Sequence, residues 1–182
     1  MSDNTSGQAG WIQPVEVVGD YDQSLDILLS RWVRYVSGLA DGMVRARWQP
    51  DQPALPPVTT NWCAFGVMDI TADSGPAMVN QTDSATESWR HELIDVLASF
   101  YGPSGQQYAS RFRDGIAISQ NNAALNEFNL TLADCDSIRS APELLNNQWV
   151  RRYDLRVQLR RKVVSTWNIQ SLVEAPVTFI GE

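Results

Sequence analysis

One stretch near the C-terminal end decides the fold, and it reads Trp149-Val150-Arg151-Arg152-Tyr153-Asp154-Leu155-Arg156-Val157-Gln158-Leu159-Arg160-Arg161-Lys162-Val163-Val164-Ser165-Thr166. Apolar side chains from Tyr153 to Leu159 alternate with polar ones from Arg152 to Arg160. A period of two is typical of a β-strand with one face in a core and the other face polar. The stretch therefore predicts one long strand over Trp149–Thr166, whose outer face carries arginines.

Shorter runs of β-branched and aromatic residues predict further strands. They are Val44–Trp48, Asn61–Thr71, Pro76–Gln81, Ser88–Tyr101, Leu130–Ile138 and Ile169–Ile180. Four prolines between residues 50 and 57 exclude regular structure there. The segment Pro142–Asn147 is predicted to be a loop or a helical turn.

Helical periodicity is clearest over residues 21–39, where apolar side chains recur at steps of three and four. A second helix is predicted over Gln106–Ile116, capped by Ser104, and a short third one over Asn121–Phe128. Runs of strands with two or three helices predict an α+β fold, with a mainly antiparallel β-sheet flanked by those helices.

The domain organisation is predicted from the first nineteen residues. Residues 1–10 are polar and rich in Gly and Ser, and residues 11–19 carry the apolar side chains Trp11, Ile12, Pro14, Val15, Val17 and Val18. We expect residues 1–19 to form a flexible N-terminal arm and residues 20–182 to form a single α+β domain. The arm is too apolar for a free tail, so Trp11 is predicted to anchor it on a neighbouring subunit or on another protein of the same assembly.

Composition narrows the class of protein. The chain has 182 residues and a formal net charge of −7, which disfavours nucleic-acid binding over its whole surface. Its apolar runs are too short to span a membrane, and we expect no secretory signal. Thirteen of the fourteen basic residues are arginine. This bias indicates cations engaged in contacts, or else biased codon usage.

Signals for catalysis or metal binding are weak. Two cysteines and one histidine are too few for a zinc site, and we expect buried thiols rather than a disulfide. His91, with the pair Asp134 and Asp136, carries the alternative of a small enzyme. The residues themselves favour no catalytic, cofactor-binding or metal-binding site.

The outer face of the long strand offers a binding surface. Arg152, Arg156 and Arg160 are predicted to project together from it, and Asp154 alone does not neutralise them. The interpretation we favour is a subunit interface, where acids of a neighbour supply the partners. A solvated face and a contact with nucleic acid are the alternatives.

Several segments resemble one known family. They are Val44-Arg45-Ala46-Arg47-Trp48-Gln49-Pro50 running into Pro53 and Pro56, Ser99-Phe100-Tyr101-Gly102-Pro103 followed by Tyr108-Ala109, Gln120-Asn121-Asn122 with Leu125, and Pro142-Glu143-Leu144-Leu145-Asn146-Asn147-Gln148-Trp149-Val150-Arg151-Arg152-Tyr153-Asp154-Leu155. In this order, over residues 20–180, they resemble the neck or tail terminator (tail completion) proteins of tailed bacteriophages.

The resemblance implies a structural virion protein without catalytic residues, cofactor or membrane. Such proteins form a ring, commonly a hexamer, at the head-proximal end of the tail. The ring stops growth of the tail tube and binds tail-tube, sheath or head-tail connector proteins. DNA passes through its lumen without sequence-specific contacts, and assembly in the host cytoplasm is expected. Another connector, collar or tail-tube component is the alternative within the virion, and a nucleic-acid-binding protein is a further one.

Overall fold

The structure is a computed structural model that describes residues 11–51, 53–145 and 147–169. The described residues form ten strands and three helices. The strands are β1 (Glu16–Val18), β2 (Val44–Ala46), β3 (Trp62–Ala72), β4 (Ala77–Val79), β5 (Thr86–Tyr101), β6 (Leu130–Cys135), β7 (Arg139–Ser140), β8 (Glu143–Leu145), β9 (Gln148–Val150) and β10 (Arg152–Trp167). The helices are α1 (Asp22–Ser37), α2 (Gly105–Ile116) and α3 (Ser119–Asn126).

The two longest strands form the centre of one sheet. β10 and β5 pair antiparallel over sixteen positions, from Arg152 opposite Tyr101 to Trp167 opposite Thr86. The path through the sheet is β1-β10-β5-β3-β2, and among the strands of the described residues only β2 and β3 pair in parallel. The second edge of β10 is shared by β7, β6 and β1 in turn. The expected α+β fold with a mainly antiparallel sheet is confirmed.

All three helices pack on one face of the sheet, which is called the inner face here. Strands contribute Ile94, Val96, Ala98, Phe100, Leu155, Val157 and Leu159 to this core, and helices contribute Leu29, Val33, Phe112 and Ile116. Aromatic packing joins the layers, since the ring centroids of Phe100 on β5 and Phe112 on α2 lie 5.8 Å apart. The inward orientation predicted from the alternation in β10 is confirmed.

The chain turns sharply where β5 passes into α2. Gly102 has a φ of 105°, and a Cβ atom there would lie 2.4 Å from the carbonyl oxygen of Thr60. Glycine is therefore required by both backbone and space. The backbone N–H of Ser104 donates to the side-chain oxygen of Asn61 at 2.7 Å. Ser104 occupies the predicted N-cap position of α2, but its side chain makes no capping hydrogen bond within the described part of the chain.

Several predicted boundaries change. Glu143–Leu145 is a strand that pairs with Gln148–Val150, not the predicted loop or helical turn. The predicted strand Leu130–Ile138 ends at Cys135, and pairing with β10 resumes only at Arg139 in β7; a register shift between Gln158 and Leu159 lies within the β6 pairing. Within the predicted arm, β1 pairs with β10 of its own chain, so this part is an edge strand of the sheet. The predicted strand Ile169–Ile180 lies outside the described residues, except for Ile169.

Candidate assembly interface on the outer sheet face

The outer face of the sheet, which points away from the helices, carries the predicted arginine row. Arg152 donates to both carboxylate oxygens of Asp154, at 2.8 and 3.0 Å, and to Glu143 at 3.2 Å. Burial lowers the pKa of Arg152, but the hydrogen bonds that it donates to Asp154 and Glu143 and the charges around it outweigh this, so the net direction of the pKa is upward. Arg152 thus has two acidic partners within its own chain, whereas the sequence suggested only Asp154.

A chain of hydrogen bonds extends this network across three strands. The hydroxyl of Ser99 donates to Asp154 at 2.5 Å and accepts from Arg47 at 2.7 Å. The Nε of Arg47 is buried and has no hydrogen-bond partner among the described residues. The network links Arg47, which directly follows β2, to β5 and β10, and within the described part of the chain it leaves one donor of Arg47 unsatisfied.

Arg156 pairs with Asp95 on the neighbouring strand, with 3.5 Å between Nε and Oδ1. Arg156 is exposed, but Asp95 is largely buried and its Oδ1 accepts no hydrogen bond from a described residue. Arg156 is therefore the countercharge for a partly desolvated carboxylate. The substitution Arg156→Glu would place a second carboxylate beside Asp95 and would destabilise the subunit itself. Its effect on assembly therefore could not be assigned to an interface.

Arg160 and Trp11 differ from these paired residues. Arg160 lies in the same row, opposite Leu93 and Thr131, and is exposed without an ion-pair partner among the described residues. Trp11 is 96% exposed. Of the four residues predicted for an interface, Arg160 and Trp11 are therefore exposed and available to bind a partner, whereas Arg152 and Arg156 form ion pairs within the subunit.

A second apolar cluster lies on the outer face, at the end near Arg152. Trp62 and Tyr101 stack with ring centroids 4.4 Å apart, and Ala64 and Val150 pack with them. The Tyr101 hydroxyl donates to Glu143 at 3.3 Å. Burial raises the pKa of Tyr101, and Arg152 partly offsets this rise. The cluster attaches the β8–β9 hairpin to the sheet.

The residues of the enzyme alternative are not brought together. His91 pairs with Lys162 on one side of β10, and Asp134 pairs with Gln158 on its other side. Four positions along a strand and two strand spacings separate them by roughly 16 Å, which is too far for a shared proton. Among residues 11–51, 53–145 and 147–169, no His, Cys, Asp and Glu cluster could hold a metal ion. Cys63 and Cys135 are free thiols, and burial raises the pKa of each.

Arg161 is the residue that sequence reasoning missed. It lies on the inner face of β10 and is only 2% exposed. Its guanidinium donates twice to Glu92, at 2.9 and 2.6 Å, and also to the carbonyl of Asp20, and it stacks 4.6 Å from the Tyr21 ring centroid. The available signal was a charged residue at an inward position of the alternating stretch.

An α+β domain with an ion-paired sheet face and exposed tryptophans is typical of a subunit that acts by binding other proteins, because Trp and Arg are enriched where proteins meet. A family model described as phage neck terminator protein matches residues 23–182. The chain therefore belongs to this family, whose members are structural proteins of the bacteriophage neck, and the resemblance drawn from the sequence is confirmed. No curated protein matches the chain at a significant level. Among the described residues, no helix is long and apolar enough to cross a membrane.

Proposed function

We propose that the chain assembles into a homohexameric ring at the head-proximal end of the phage tail. The ring ends growth of the tail tube, binds tube, sheath or head-tail connector proteins, and leaves a lumen for the genomic DNA. It acts by protein binding and needs no catalytic residue, metal or cofactor. The observation that carries the proposal is the family match over residues 23–182.

The outer face supports a subunit contact. Arg160 is an exposed cation on a central strand, and the chain as a whole has seven more acidic than basic residues. A neighbouring copy therefore offers carboxylates in excess. An exposed ion pair contributes about 0.2–1 kcal/mol, whereas a desolvated interfacial pair can couple by several kcal/mol.

Imaging of virions tests the location and the architecture. Cryo-electron microscopy of the phage neck should place this chain in a single ring between tail tube and head connector. Phage lacking the chain should have tubes of uncontrolled length and heads without tails. If the chain forms many stacked rings along the tube, it is a tail-tube component, and if it is absent from the neck, the proposal is wrong.

A charge reversal tests the arginine row. Arg160→Glu should leave the unfolding transition unchanged and reduce ring formation, measured by mass photometry. Arg113→Glu, at an exposed site on α2 where the arginine pairs with the adjacent Asp114, is the charge-reversal control away from the sheet and should form rings normally. If Arg160→Glu leaves the ring intact and lowers the salt slope of duplex-DNA binding by about one unit, the row faces DNA. An intact ring with no DNA binding indicates a solvated face.

A further inference from the structure

The β8–β9 hairpin presents an apolar pair outward. Leu144 and Trp149 are directly opposite each other in its register, and they are 53% and 74% exposed. An isolated two-stranded hairpin is marginally stable in water, so exposed apolar side chains on one need a reason. Trp149 lies in the segment by which the sequence resembles the family, and its indole makes no hydrogen bond or ring contact with a described residue.

The orientation of the hairpin follows from its period of two. Glu143 and Val150, the next pair in register, point toward the subunit. Glu143 accepts from Arg152 and Tyr101, and Val150 is buried on Trp62. The other face of the hairpin, with Leu144 and Trp149, must then point away from the sheet. The subunit thus holds a tryptophan outward on an anchored support.

A groove of complementary character lies on the opposite side of the molecule, in the helix layer. It has a volume of about 540 Å³ and lies between α1 and α3. Leu28, Trp32 and Leu125 are buried at this groove, and Tyr35 and Ala124 are exposed at it. Its lining is mainly apolar and large enough for an aromatic ring, and the hairpin of the same chain cannot reach it because the sheet lies between them.

Charges next to the two surfaces are also complementary. Arg151 follows the hairpin directly, and Glu127 is on the rim of the groove. Both side chains are exposed, and neither has an ion-pair partner among the described residues. Arg31 on α1 also lines the groove, so the carboxylate that complements Arg151 is Glu127, on the α3 side of the groove.

We infer that the hairpin of one copy inserts Trp149 and Leu144 into the α1–α3 groove of the next copy, with Arg151 beside Glu127. This inference rests on the proposed function, because it names the contact that joins neighbours in the ring. The two surfaces lie on opposite sides of the chain, so the contact is head-to-tail. Repetition of such a contact generates a closed ring when the rotation closes.

The test measures self-association of the full chain from micromolar to sub-millimolar concentration by native mass spectrometry. Trp149→Ala should weaken association by roughly thirtyfold, the effect of losing a central tryptophan at an interface. Ile27→Ala removes an exposed apolar side chain of α1 that does not line the groove, and it should leave association unchanged. Thermal unfolding of each variant establishes that the subunit is folded.

Exchange of the two charges gives a second, independent readout. Arg151→Glu and Glu127→Arg should each weaken association by about three- to tenfold, and the double variant should regain most of the loss. Failure of the double variant to recover, or normal association of folded Trp149→Ala, overturns the inference while the ring proposal stands. A wild-type chain that stays monomeric throughout also overturns it, and the virion reconstruction decides the proposed function separately.

Discussion

The buried ion pair of Arg161 and Glu92 joins the sheet to the segment that precedes α1, and replacing either residue tests this connection. Removing one partner of a buried ion pair costs about 3–5 kcal/mol, because the other charge is left without compensation in a medium of low dielectric constant. Glu92→Met should cost more than Arg161→Met, since a guanidinium cannot lose its charge and Glu92 can take up a proton. For a chain of this length the loss corresponds to a fall in Tm of about 6–20 °C.

The double variant separates the pair from its surroundings. Replacing both residues by methionine removes both charges and keeps the volume apolar, which is often nearly neutral in buried sites. The carbonyl of Asp20 loses its donor, a cost of about 1 kcal/mol. We therefore expect the double variant to be more stable than either single variant.

Urea unfolding followed by tryptophan fluorescence measures all three free energies of unfolding. Arg160→Met is the matched control, because the neighbouring arginine is exposed and its replacement should change stability by less than about 0.5 kcal/mol. Additive losses in the double variant, or a single variant as stable as the wild type, would refute the reasoning that the pair acts as one desolvated unit.

Three further predictions concern single groups. Burial raises the pKa of Tyr101 above its usual 10.0, so the tyrosine of the unfolded chain loses its proton at a lower pH than that of the folded chain. The free energy of unfolding should therefore fall as the pH rises above 10. In urea titrations at alkaline pH, Tyr101→Phe should show a smaller fall. Cys63 is fully buried and Cys135 only partly, so an aromatic disulfide reagent at pH 8 should modify Cys135 and reach Cys63 only on unfolding; equal rates would contradict the burial. Deleting residues 1–14 keeps β1, so Tm should be unchanged, but assembly should weaken because Trp11 is lost. Deleting residues 1–19 also removes β1 and should lower Tm as well. If the 1–14 deletion variant is folded and assembles fully, Trp11 is not an anchor.

Local pattern determined most of the secondary structure. Alternation placed Leu155, Val157 and Leu159 in the core, and helical periodicity located α1 and α2, because burial of one face imposes a period of two or of 3.6. The family was also recognisable from ordered segments of the sequence alone. These patterns involve residues that are close together in the chain, so they can be recognised in a single sequence.

Tertiary structure decided how charges and edges are used. The sequence pattern did not distinguish Arg152, Arg156 and Arg160 from one another. Only the sheet shows that Arg152 pairs with Glu143 and Arg156 with Asp95, and that Arg160 is exposed. Likewise, only the pairing of β1 with β10 shows that residues 16–18 form an edge strand and are not part of a free arm. The orientation of Trp149 required the hairpin register. Such contacts join residues far apart in the chain, and their pairing depends on register and topology, which local periodicity does not specify.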